Sequence, residues 1–111
     1  MKYNMNLQPK YFEKIKEGTK IIECRLFDEK RKKLKIGDII EFSNTNNSEA
    51  IVKTEIIDLL KYATFEELLE NFPAPFFGSD NKVDILDDLY KYYTLDQEKK
   101  YSVVGIKIKL I

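Results

Sequence analysis

The chain begins and ends in alternation. Met1, Tyr3, Met5 and Leu7 are apolar while Lys2, Asn4 and Asn6 are polar, and near the other end Val104, Ile106, Ile108 and Leu110 alternate with Lys107 and Lys109. A period of two sends successive side chains to opposite faces of an extended backbone, so each segment reads as a strand with one buried face. A chain with such a strand at both ends must build a sheet against a core, and the segments between have to complete and cover it.

Those segments carry their own punctuation. Pro9 suits the first position of a helix and Gly18 the position just past its end, and between them Tyr11, Phe12 and Ile15 form a narrow apolar stripe. Gly37-Asp38 marks a tight turn, followed by strands over Ile39–Ser43 and Ala50–Leu60, joined by the polar run Asn44–Glu49 as a hairpin. Thr64-Phe-Glu-Glu67 is a capping box; it opens a helix with Phe65, Leu68, Leu69 and Phe72 on one side, which Pro73 ends. Val83, Leu86 and Tyr90 give another helical stripe that stops near Tyr92-Tyr93, and Thr94-Leu-Asp-Gln97 resembles a further capping box that opens a single turn. Pro75-Phe-Phe-Gly78 is an apolar loop with two readings: a lid over one end of the core, or a binding lip whose Phe76 or Phe77 stacks on a ring. The order β, α, β, β, β, α, α, β predicts an α+β fold, a small mixed β-barrel of five to six strands with two to three short helices, and the N- and C-terminal regions adjacent.

Composition narrows the function. The 111 residues are 43% hydrophobic, enough for one domain with a modest core. There is no histidine and a single cysteine, so no internal disulfide, Ser-His-Asp triad or Cys-His pair can form, and a zinc site would need an unusual ligand set. No metal or cofactor is expected. No apolar run reaches signal or membrane-spanning length, and the natural compartment is a reducing cytoplasm. Formal net charge is zero, but it is unevenly spread: Lys20–Lys35 holds seven cations against three anions, and Asp80–Glu98 six anions against two cations. Much of the first excess lies in Phe27–Ile36, which reads as an exposed basic loop. No aromatic alternates with its lysines, so by itself it reads as a solvated turn.

The chemistry concentrates in Gly18-Thr-Lys-Ile-Ile-Glu-Cys-Arg25. Ile21, Ile22, Cys24 and Leu26 favour a half-buried strand, on which Glu23 and Arg25 share one face and Ile22, Cys24 and Leu26 the other. A partly buried charge has to be paired or face a wet cleft. The residues therefore admit an ion cluster on an exposed face, a cluster that locks helix to barrel, or a polar cleft lined by Lys20, Glu23 and Arg25.

That stretch matches the GxKxxExR signature of ASCH domains, which are small PUA-like barrels. Leu7 with Phe12 and Ile15, Asp28-Glu-Lys-Arg31, Ile36-Gly-Asp-Ile-Ile-Glu-Phe42, Tyr62-x-x-Phe65-Glu-Glu67 and Val104-Gly-Ile106 also sit where small bacterial members have them. The resemblance covers nearly the whole chain and implies a single PUA-like domain over residues 1–111, with the charged residues of the motif in a cleft between barrel and helices. It implies RNA, a nucleoside or a nucleotide as partner. On this reading Lys20 and Arg25 hold phosphate or carbonyl oxygens, Glu23 accepts from a base amino group or orients Arg25, and Lys30 and Arg31 in the basic loop add phosphate contacts. The alternative is a hydrolase acting on RNA or a modified nucleoside, with Glu23 as general base and Lys20 stabilising developing negative charge. One branch of the family hydrolyses N4-acetylcytidine with a lysine, a threonine nucleophile and a glutamate. Lys20 matches that lysine, but Glu23 stands where the threonine would be, and a carboxylate does not replace an activated hydroxyl.

Overall fold

The alternating N-terminal segment forms strand β1 (Lys2–Leu7), and Pro9 starts helix α1 (Pro9–Lys16) immediately after it. The computed structural model describes all 111 residues, Met1–Ile111. Strand β2 (Ile22–Leu26) follows, then a 3-10 turn at Arg31–Lys33, the hairpin strands β3 (Ile39–Asn44) and β4 (Asn47–Tyr62), and helix α2 (Phe65–Glu70). A second 3-10 turn (Ala74–Phe77), helices α3 (Lys82–Leu89) and α4 (Leu95–Tyr101) and strand β5 (Val103–Leu110) complete the chain.

The five strands form one mixed sheet in the order β1-β3-β4-β5-β2, curled into a half-barrel. β1 runs parallel to β3, and all other pairs are antiparallel. β4 is long enough to pair with β3 through its first half and with β5 through its second, and a register shift between Ile56 and Asp58 re-aims it between the two. The outer strands β1 and β2 do not pair, so the barrel stays open along one seam. The N- and C-terminal strands do not pair, since β3 and β4 lie between β1 and β5, but both contribute to one core cluster.

Two apolar clusters hold the sheet, one on each face. Phe12 and Ile15 of α1 pack with Ile40, Phe42, Ile56 and Ile106. On the other face Phe65, Leu68 and Leu69 of α2, Phe77 and Ile85 pack on Ile22 and Val103. β5 serves both, Val104, Ile106 and Ile108 turning one way and Val103 the other. Gly105 lies on the α2 side, where an added Cβ would come 2.9 Å from Leu68, so its bareness lets the helix sit close.

There are four α-helices rather than two to three. The expected single turn at Thr94 is the seven-residue α4, opened by a full capping box in which Thr94 and Gln97 satisfy each other's backbone N–H. No apolar stripe announces it. Its buried anchor is Glu98, which accepts from the Phe65 N–H at 3.0 Å and the Tyr90 hydroxyl at 2.8 Å, while Leu95 is exposed.

Candidate functional site

Gly18 adopts a left-handed φ of +84° at the end of α1, where any other residue would be strained. The N–H groups of Thr19 and Lys20 then both return to the Lys14 carbonyl, each at 3.0 Å. This tight exit turns Lys20 inward. Its buried ammonium donates to the carbonyls of Ile22 (2.8 Å) and Phe77 (3.1 Å) and lies 3.1 Å from Glu23 Oε1. The other carboxylate oxygen takes Arg25, with Nε and Nη2 each 2.8 Å from Oε2. Burial opposes the charge on Glu23, but Lys20 and Arg25 outweigh it and hold the carboxyl below its ordinary range. Burial likewise opposes the Arg25 charge, and Glu23 more than compensates.

Arg25 also reaches across the open seam. Its Nη2 donates to the Asn6 carbonyl at 3.0 Å, so a side chain from one edge strand is tied to the backbone of the other. Alongside this bridge lies a cleft of about 380 Å³. Lys20, Glu23 and Arg25 line it, with Asn6, Leu7 and Gln8 from the end of β1, Tyr11 from α1, and Asp88, Tyr92 and Tyr93 at the end of α3 and just beyond. Because β2 has no strand on its outer side, Cys24 from its opposite face reaches the same cleft. The walls are joined at two points. Tyr11 donates to Asp88 at 2.6 Å, and Gln8 bonds to the Tyr92 hydroxyl. Lys10 and Lys91 also flank Asp88. Burial works against its charge, but bonds from Lys10, Tyr11 and Lys91 bring its pKa down to about 2. Burial, and then the bond to Asp88, push the Tyr11 hydroxyl well up.

The Ala74–Phe77 turn acts as a lid. Phe77 is fully buried, and the Phe76 carbonyl accepts from the Ile21 N–H at 2.9 Å. Gly78 closes the turn at φ +99°, and a Cβ there would sit 2.9 Å from the Tyr11 ring and 3.0 Å from Lys20 Cδ. Thr19, the hydroxyl next to Lys20 in sequence, lines a separate polar hollow of about 280 Å³ with Lys10, Lys14, Asp80 and Asp84.

Of the expected site residues, Lys20, Glu23 and Arg25 come together in the cleft, whereas Lys30 and Arg31 stand outside it. Lys30 is exposed. Arg31 is held to Asp28 by Nη1 at 3.3 Å, and its buried Nε has no acceptor. The sequence reading missed the aromatic walls. Periodicity places Tyr11 in the core stripe of α1 and Tyr92-Tyr93 at a helix end; the one local signal is a tyrosine pair directly after an apolar stripe. No three His, Cys, Asp or Glu side chains are grouped to hold a metal ion, and no helix is long and apolar enough to cross a membrane.

The family model of the ASCH domain matches residues 5–111. The chain belongs to the ASCH family. Two solved structures resemble this ASCH domain over its full length. The crystal structure of the hypothetical protein PH0355 has a TM-score of 0.86 and 37% identity, covering 100% of both chains. The solution NMR structure of protein PF0455 from Pyrococcus furiosus has a TM-score of 0.76 and 33% identity, covering 100% of this ASCH domain and 98% of that chain. No curated protein matches the chain. ASCH domains are linked in general to RNA binding.

Proposed function

We propose that this ASCH domain binds RNA or a nucleotide, seating one base in the cleft rather than transforming it. One observation carries the reading: aromatic walls (Tyr11, Tyr92, Tyr93) stand around a floor of paired charges (Lys20, Glu23, Arg25) in a space of about 380 Å³, within the range typical of small-molecule sites. Bases stack on such rings regardless of sequence, for about 1–3 kcal/mol each. Arg25 lines the cleft beside Tyr93 and offers a carbonyl or phosphate oxygen the guanidinium positions that Glu23 and Asn6 leave. Glu23 accepts from an exocyclic amino group with its remaining lone pairs, Lys20 keeps Glu23 charged, and Lys30 and Arg31 meet phosphates outside the cleft.

Binding is favoured over hydrolysis because the two residues that catalysis would need are already engaged. Lys20 has three acceptors of its own, and a carboxylate held below its ordinary range is a weak base. The test is titration with ribonucleosides, nucleotides and short unpaired RNA, followed by tyrosine fluorescence and calorimetry. Saturable binding is expected. Tyr92 is 61% exposed, so Tyr92→Ala should weaken binding about tenfold, in line with one lost stacking contact, with only a small drop in melting temperature from the lost bond to Gln8. Absence of binding to all of these ligands, or turnover of a nucleoside by the pure protein, overturns the reading.

A further inference from the structure

The basic loop gains an aromatic partner that its own sequence lacks. Phe27, just past β2, packs half-buried against the core cluster under α1 and presents its ring to lysines from two distant segments. Lys61 Nζ, from the end of β4, lies 4.7 Å from the ring centroid, and Lys32 Nζ lies 5.9 Å from it. Cation–π attraction of this kind holds ammonium groups in place while leaving them hydrated. Lys61 is exposed and forms no ion pair; Lys32 meets only Glu29, itself 85% exposed. The Phe27 N–H donates to the Ser102 carbonyl at 3.0 Å, which ties this edge to the end of α4. Elsewhere many cations are matched: Lys2 and Lys53 to Glu41, Lys10 and Lys91 to Asp88, Lys109 to Glu55. In a chain of zero net charge, Lys61, which forms no ion pair, and Lys32, whose one partner is an exposed glutamate, leave an excess of positive charge on this edge.

This edge adjoins the cleft through β2: Glu23 and Arg25 of that strand line the cleft, Phe27 follows the strand's last residue, and Arg31 begins the turn that carries Lys32. We propose that Phe27, Lys32 and Lys61 form a second RNA contact, which holds the phosphates of the strand as it leaves the cleft. The proposal rests on the RNA reading of the cleft and extends it. A base enters the cleft only when unpaired, so the strand beside it is single, and two ammonium groups gathered on one ring offer adjacent contacts to its backbone.

The probes are a ribonucleoside monophosphate and single-stranded homopolymeric RNA of increasing length. Wild type is expected to bind the longer RNA more tightly than the mononucleotide. The double variant Lys32→Gln/Lys61→Gln should keep the mononucleotide affinity and melting temperature, because both side chains are exposed. It should lose about tenfold on the longer RNA, and the slope of log K against log salt should flatten by about 1.4, two phosphate contacts at roughly 0.7 each. Lys32→Arg/Lys61→Arg should restore both. Unchanged RNA affinity and slope in the glutamine variant overturn the proposal. So does a wild type that binds the mononucleotide but no oligomer more tightly, which leaves the cleft reading standing; failure to bind either probe removes both. Loss of binding to phosphatidylserine vesicles, with RNA binding unaffected, would assign this edge to a membrane surface instead and also overturn it.

Discussion

A carboxylate with 6% of its surface exposed persists in a folded protein only when its charge is matched, and Glu23 has a cation on each oxygen. Removing one partner of such a buried group leaves the others unpaired, at a cost of about 3–5 kcal/mol. Glu23→Ala and Lys20→Met are each expected to lose that much in chemical denaturation, with positive coupling between them in a double-mutant cycle. Because the folded pKa of Glu23 lies below the ordinary 4.5, its contribution is complete above that value and is lost as pH falls through the lower folded value. Glu23→Gln should flatten that part of the acid-unfolding curve. The sharing of a face by Glu23 and Arg25 was legible in the sequence, because alternation on a strand is local. The inward turn of Lys20 was not. One of its acceptors, the Phe77 carbonyl, is 57 residues away, and only the packed lid brings it there.

Among the elements, the Ala74–Phe77 turn connects the cleft to the core. It buries Phe77, caps Lys20, and ends on a glycine against which Tyr11 and Lys20 both pack. Gly78→Ala meets two penalties at once, a left-handed backbone and a Cβ 2.9 Å from a ring. It should destabilise the fold by about 1–3 kcal/mol and, by displacing Tyr11, weaken any ligand in the cleft. Thermal melting and nucleotide titration of the same variant check both. A variant that melts lower but binds with wild-type affinity would show that the turn serves the core alone. The helices were legible where burial is apolar, as in α2 with Phe65, Leu68 and Leu69. They were illegible where the anchor is polar: α4 is fixed by a buried glutamate that takes a backbone N–H and a tyrosine hydroxyl from other elements, and hydrophobic periodicity does not register such a residue.

At the scale of the molecule, the alternation at both ends made a sheet necessary, but neither strand order nor closure can be read from it. Those depend on the parallel pairing of β1 with β3 and on the length of β4. The resulting seam, tied by Arg25 to the Asn6 carbonyl, gives the only thiol an unusual vantage. Cys24 is 5% exposed, and burial pushes its pKa up to about 12, so at neutral pH it is both covered and protonated, hence inert to alkylation. Its labelling by iodoacetamide or a neutral disulfide reagent should therefore follow the rate and extent of parting between β1 and β2, with no probe added to the protein. Arg25→Met should speed labelling and a nucleotide bound in the cleft should slow it, while an unchanged rate in both cases would mean that the thiol is reached by unfolding of the whole domain. The half-barrel thus carries a built-in clock for the opening of its own seam, read in the chemistry of a single sulfur atom.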